Sequence, residues 1–180
     1  MIKTMKQHKG TMIAIATAIV GVLVILLLLG RFADSPETPL VSPVDAPAKT
    51  FVKDEFQITL TDVFQPIEKD GFFAFYTYDT AMVYVLKEEK MLFDDISLEE
   101  YGNLVLDAND RAGLTLNAEK DFVWFEYTGT PEHQEICYFV VCCESEDAFW
   151  IVNFATPVTN VSQYKAAFLD WASTIKVGNQ

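Results

Sequence analysis

The chain has 180 residues, a formal net charge of -13 and a pI near 4.4, and 51% of its residues are hydrophobic. That length holds one domain of ordinary size plus a tail, and a mean hydropathy of +0.17 excludes a wholly disordered chain. The acid surplus excludes nucleic acid as a partner, because phosphate contacts need an excess of Lys and Arg, and three Cys exclude a disulfide scaffold.

Residues 1–11 carry Lys3, Lys6 and Lys9 and no acid. Met12 to Gly30 then runs for 19 residues without a charge, closing on Ile25, Leu26, Leu27, Leu28 and Leu29. At about 1.5 Å per residue a helix of this length spans roughly 28 Å, close to the hydrocarbon thickness of a bilayer. The run predicts a transmembrane anchor over 12–30. Basic residues precede it and Arg31, Asp34 and Glu37 follow, so the positive-inside rule makes 1–11 a cytoplasmic tail and places the rest outside the cell. A cleaved signal peptide is the competing reading, but its apolar region is usually about 7–15 residues and ends in small residues. Here a cut after Ala33 would put Arg31 at a small-residue position.

Residues 31–50 hold four of the seven prolines, Pro36, Pro39, Pro43 and Pro47. Proline fixes φ and disfavours helix before itself, which predicts an extended, semi-rigid linker. Its alternative is an edge strand of the domain that follows. That domain, 51–180, carries 8 Lys+Arg against 23 Asp+Glu, a net of -15. A solvated acidic surface is the plain reading, and a docking face for a basic partner or a cation is the sharper one. No calcium loop is present. Asp107 and Asn109 come nearest, but Arg111 takes the third ligand position and Gly113 comes one residue late.

Within the domain, Phe56, Ile58 and Leu60 alternate with polar residues as in a half-buried strand. Phe72–Tyr78 and Met82–Leu86 flank Asp79-Thr80 as a hairpin. Ser97-Leu98-Glu99-Glu100 matches a capping box and opens a helix with Tyr101, Leu104, Val105 and Ala108 on one face. Short (Leu114–Leu116), aromatic (Phe122–Tyr127) and long (Ile136–Cys143, Phe149–Ala155) strands follow, with a turn over Thr128–Gln134. Val161, Tyr164, Phe168, Trp171 and Ile175 recur at helical spacing. Thr159 or Asn160 is the expected cap, and Lys176 suits the C-terminal end of the dipole.

The two long strands are apolar on both faces. Ile136, Tyr138, Val140 and Cys142 share one face; Cys137, Phe139, Val141 and Cys143 share the other. Such a strand needs cover on both sides. Short turns imply antiparallel neighbours, so the expected fold class is α+β, an antiparallel sheet covered by helices. Asp62–Glu68 and Lys90–Asp95 are expected to add short turns of cover.

This order of elements carries a resemblance. The Phe56–Asp62 strand, the Phe72–Leu86 hairpin, the Ser97–Tyr101 helix start, Trp124-Phe125-Glu126-Tyr127, the hairpin containing Ala148–Phe154 and the Tyr164–Ile175 helix resemble the PsbP-like superfamily over about Phe51 to Val177. More narrowly, the chain looks like membrane-anchored or secreted versions in Gram-positive bacteria. The resemblance implies a non-catalytic binding or assembly module and supplies no motif residue as a site.

Independent chemistry is sparse. His8 lies in the tail and His133 in a turn, with no nucleophile motif near either. Cys137, Cys142 and Cys143 form no C-x-x-C. Cys137 and Cys143 lie about 20 Å apart along a strand, too far to bridge, so all three are expected as buried small apolar groups. Asp94 with Asp95, or Glu99 with Glu100, are candidate acid–base pairs, read first as solvated loop and helix-start residues. Trp124, Trp150 and Trp171 are expected in the core, with an exposed subset as an alternative stacking surface. Asn160-Val161-Ser162 is a glycosylation sequon. The sequence therefore assigns no catalytic residue, metal ligand or cofactor. It predicts a membrane-anchored extracytoplasmic binding or accessory module of the cell envelope, with the membrane and a protein or envelope polymer as partners. The alternative is an envelope-polymer hydrolase using Asp/Glu acid–base chemistry.

Overall fold

The structure is a computed structural model that describes residues 44–111 and 113–178. The expected tail, the 12–30 anchor and most of the linker lie outside those residues. Among the described residues no helix is long and apolar enough to cross a membrane.

Among the described residues, ten strands and two α-helices make an α+β fold. Strands β1 (Ala48–Lys53) and β2 (Phe56–Thr61) form a hairpin, joined at its far edge by β10 (Lys176–Val177). The remaining strands form a seven-stranded antiparallel sheet. They are β3 (Gln65–Pro66), β4 (Ala74–Tyr78), β5 (Ala81–Glu89), β6 (Asn117–Ala118), β7 (Val123–Gly129), β8 (Ile136–Glu144) and β9 (Ala148–Pro157), in the order β3-β4-β5-β9-β8-β7-β6. Two-residue loops close the hairpins at Asp54-Glu55 and Asp79-Thr80, where Asp54 and Asp79 take positive φ of 47° and 49°. Aspartate tolerates this left-handed region better than most residues, and the twist of a tight hairpin demands it.

The expected pair of dry faces is present. Every residue of β9 is buried, and β8 is buried apart from Cys137 and Glu144. One face of the large sheet, with Tyr84, Phe125, Val140 and Ile151, is covered by helix α1 (Leu98–Ala108). The other, with Val83, Val141, Trp150, Val152 and Phe154, is covered by helix α2 (Val161–Ala172) and the dry side of the small sheet, through Phe51, Phe56, Ile58 and Leu60. The cover is therefore not helical alone. The Phe56–Thr61 strand belongs to a second sheet laid over the first. Trp150, fully buried, meets Phe56 and Phe73 with ring centroids 5.9 and 4.9 Å away and ties the two sheets together. Burying each such aromatic contributes roughly 1.5–3 kcal/mol.

Helix α1 begins as the sequence predicts. The Ser97 Oγ accepts from the Glu100 amide at 3.2 Å, and the Ser97 amide donates to Glu100 Oε2 at 2.8 Å. The face it buries is Tyr101, Gly102, Val105 and Leu106, with Leu104 only half-buried. Gly102 sits so close to the sheet that a Cβ there would lie 2.8 Å from a Val123 methyl and 3.0 Å from Leu116.

Several local expectations change. The domain starts before Phe51: β1 begins at Ala48, because Ala48–Thr50 pair with Thr59–Thr61. Leu114–Leu116 is not a strand. Leu116 packs on α1, and pairing begins only at Asn117. Asn160 does occupy the N-cap position of α2, but its side chain makes no capping bond. A 3-10 turn over Val158–Asn160 leads into the helix, and the Asn160 side-chain amide instead donates to Thr80 Oγ1 at 3.1 Å. Lys176 is not on the helix, which stops at Ala172. Thr174 Oγ1 donates to the Trp171 carbonyl at 2.7 Å and accepts from the Thr59 amide at 2.9 Å, turning the chain into β10.

Replacing Ser97 with Ala removes the reciprocal cap. It is expected to lower the unfolding free energy by about 1 kcal/mol in urea melts, while leaving the fold intact through the buried Tyr101–Leu106 face. An unchanged midpoint would show that packing alone sets the start of α1.

Candidate binding groove

A groove of about 370 Å³ opens on the α2 side of the large sheet. One wall is the tip of the β6–β7 hairpin, Glu119 to Phe122, closed by the Glu119 amide donating to the Phe122 carbonyl at 2.9 Å. The other wall is the last turn of α2 and the residues after it, Leu169 to Ile175. Cys143 of β8 lies at the bottom. The half-buried Phe122 and Ile175, the buried Ala172 and the exposed Leu169 supply its apolar lining, interleaved with charged and polar residues.

The rim is acidic. Glu119, Asp121 and Asp170 are all exposed. Lys120 is the one cation there; its ammonium lies 3.9 Å from Asp121 Oδ2, with both side chains at least 80% exposed, so solvent screens the pair. Among the described residues no ion pair involves Glu119 or Asp170. The carbonyls that end α2 are bonded within the chain: Leu169 accepts from the Ser173 amide, Asp170 from Ser173 Oγ, Trp171 from Thr174 and Ala172 from the Ile175 amide. Burial pushes the Cys143 thiol up to about 12, with Glu144 adding to the effect, so the group at the bottom of the groove stays a neutral thiol.

The groove was not legible as a motif, since its walls come from segments far apart in the chain. The candidates that were legible do not assemble. His133 is exposed, at a positive φ of 70° in a 3-10 turn. Asp94 and Asp95 are exposed on the loop before α1, and Glu100 is occupied by its capping bonds. Asp107 lies in α1, Asn109 caps its C-terminal end, and the Arg111 guanidinium rests 4.9 Å over the Tyr127 ring. Trp150 and Trp171 are buried, and Trp124 is half-buried, stacked on Phe139 at 4.8 Å. The Asn160 sequon is engaged at the start of α2. Cys142 and Cys143 are buried as expected, but Cys137 is half-buried, because the Cys137 end of β8 reaches the margin of the α2 cover. Among the described residues no three His, Cys, Asp or Glu side chains are grouped to hold a metal.

One functional-looking carboxyl escaped the sequence pattern. Glu88 of β5 is 6% exposed, on the α1 face. The Tyr101 hydroxyl donates to its Oε2 at 2.9 Å, and its Oε1 is buried with no partner. Desolvation raises its pKa, only partly opposed by the Tyr101 bond. It sits in the charged run Lys87-Glu88-Glu89-Lys90, which reads as solvated and gave no signal of burial.

No family model matches the chain, and no curated protein does. Among solved structures it is similar to a Bacteroides thetaiotaomicron protein, with a TM-score of 0.52 and 10% identity over 73% of this chain and 49% of that one. It is also similar to the cyanobacterial PsbP (CyanoP) of Synechocystis, with a TM-score of 0.45 and 9% identity over 81% and 99% of the two chains. A Pseudomonas aeruginosa protein of unknown function gives 0.46 and 13% over 74% and 99%. At such identities a likeness concerns the fold alone.

Two measurements follow. A buried acid with a raised folded pKa stabilises fully below its ordinary value of 4.5 and loses that contribution as pH rises through the raised value. Glu88→Gln should therefore match the wild type near pH 4 and gain on it as pH approaches neutrality; a difference that does not vary with pH would contradict the assignment. Native-state alkylation should leave Cys142 and Cys143 unmodified and reach them only after denaturation. Rapid native labelling of either would refute their burial.

Proposed function

We propose that the chain is a membrane-anchored, extracytoplasmic binding or accessory module of the cell envelope, of PsbP-like type, and not an enzyme. The observation that carries it is the groove: a concave site lined by Phe122, Leu169, Ala172 and Ile175 beside exposed charged side chains, with the buried Cys143 of its lining held as a neutral thiol. The charge-free run over 12–30, with Lys3, Lys6 and Lys9 before it, supports the anchor and its direction. The succession of opening strand, hairpin, helix, aromatic strand, long hairpin and closing helix supports the PsbP-like reading.

The hydrolase reading keeps one supporting observation, since Glu119, Asp121 and Asp170 line the same groove. Physical chemistry weighs against it. A general acid active near neutrality needs a carboxyl shielded from water, and these three are exposed. The shielded carboxyl, Glu88, lies on the opposite face of the sheet beneath α1.

Full-length protein is expected to remain with membranes through carbonate and high-salt washes and to be cut by protease added outside intact cells. Recovery only as a soluble species starting near Asp34 would overturn the anchor. A photo-crosslinking residue at Ser173, in the groove, should capture a partner in cells, whereas one at Thr128, outside it, should not. Turnover of envelope polymer that is lost in Asp121→Asn would replace the binding reading with the hydrolase.

A further inference from the structure

We propose that the α1 face of the large sheet, opposite the groove, holds a second site that takes a small monocarboxylate with an apolar body. Its floor spans neighbouring strands. Tyr127 of β7 lies directly across from Tyr138 of β8, and Asn153 of β9 directly across from Tyr84 of β5. Alternation puts Asn153 on the same face as Ile151 and Ala155, so the four side chains share one surface. The Tyr127 and Tyr138 rings stack with centroids 4.8 Å apart, and Phe72 stands edge-on to Tyr84 at 5.3 Å.

These residues are packed as core yet carry unused polar groups. Tyr84, Tyr138 and Asn153 are only 2, 4 and 6% exposed. Among the described residues, the unpaired side-chain atoms sealed from solvent are Glu88 Oε1, Arg111 Nε, Trp124 Nε1 and Thr156 Oγ1. The Asn153 amide and the three phenols are unpaired too, but they are not sealed. A narrow opening therefore brings water to the middle of the sheet, where polar groups otherwise find partners in the fold.

Arg111 sets the sign of the occupant. It is the one arginine of 51–180, a region of net charge -15, and among the described residues no carboxylate pairs with it. Its guanidinium rests 4.9 Å over the Tyr127 ring, and its Nε has no acceptor. Burial raises the pKa of all three phenols, Arg111 draws Tyr127 partly back, and no carboxyl group acts on any of them. They stay neutral donors near neutral pH. Glu88, the buried acid of this face, stands four residues further along β5 and is held by Tyr101. A carboxylate accepts from a guanidinium fork, a phenol and an amide together. One guanidinium balances one negative charge, which selects a monocarboxylate over a phosphate dianion. The rings of Phe72, Tyr127 and Tyr138 select an apolar body.

The test is NMR of the full chain in non-ionic detergent with ring-labelled tyrosine, titrated near neutral pH with phenylacetate, phenylacetamide, acetate and phenyl phosphate. Phenylacetate should move the Tyr84, Tyr127 and Tyr138 signals and leave Tyr76 and Tyr164, on the α2 face, in place. It should bind about tenfold tighter than each of the other three. Arg111→Gln should weaken phenylacetate about tenfold and leave phenylacetamide unchanged. Tyr138→Phe, which keeps the ring and removes one donor, should weaken it severalfold. A thermal melt checks that both variants fold. Phenylacetamide, acetate or phenyl phosphate binding as tightly as phenylacetate overturns the proposal. So does unchanged affinity in Arg111→Gln, equal movement of Tyr76 and Tyr164, or no movement of the three signals with any probe. The groove reading is unaffected by these outcomes, since it is tested by capture at Ser173.

Discussion

The structure depends on a sheet with no wet face. All ten residues of β9 are buried, and its neighbours β5 and β8 are nearly so. A strand like this has no stable position at a surface, so the chain must place a layer on each side. One layer is a single helix, α1. The other is composite, because α2 covers only part of its face. The hairpin β1–β2 and the two-residue β10 cover the rest. The division explains why rings from the small sheet, Phe51 and Phe56, reach Tyr76 and Trp150 of the large one and Phe73 just before β4.

The groove is a by-product of that composite cover. Helix α2 ends at Ala172 so that Thr174 can bond to Thr59 and the chain can join the small sheet. Ending there leaves an opening between the helix terminus and the β6–β7 hairpin. The same event that completes the core thus shapes the candidate site. Acid accumulates at its rim because both contributing segments are solvent-facing in a region, 51–180, with a net charge of -15.

Much of this was legible in the sequence, and the rest was hidden for identifiable reasons. The doubly apolar runs of β8 and β9 announce two covered faces. Ser97 and Glu100 announce α1, and Asp79-Thr80 announces a hairpin. These signals are local, and each rests on one element's own period or cap. The assignment of β2 to a second sheet is not local. Phe56, Ile58 and Leu60 alternate identically whether their dry side packs beneath a helix or on another sheet. Lys176 looked like a helix-end cation because the pull of Thr59 on Thr174 acts across the fold. The groove escaped for the same reason, since Asp121 and Asp170 share no sequence pattern. Glu88 escaped because the charged run Lys87-Glu88-Glu89-Lys90 reads as solvated until Tyr101 is placed over one of its acids.

The pairing of β2 with β10 has a consequence for how the chain acquires its shape. Phe56 and Gln57 emerge early in synthesis, but their partners Val177 and Lys176 are among the last described residues. The small sheet cannot be completed until nearly the whole domain has left the ribosome. Until then, the face that α2 and β10 will cover stays open, and the growing chain has no complete core to lock it. Long-range closure of this kind is slow relative to local hairpins and helices. It makes β10 the latch of the fold.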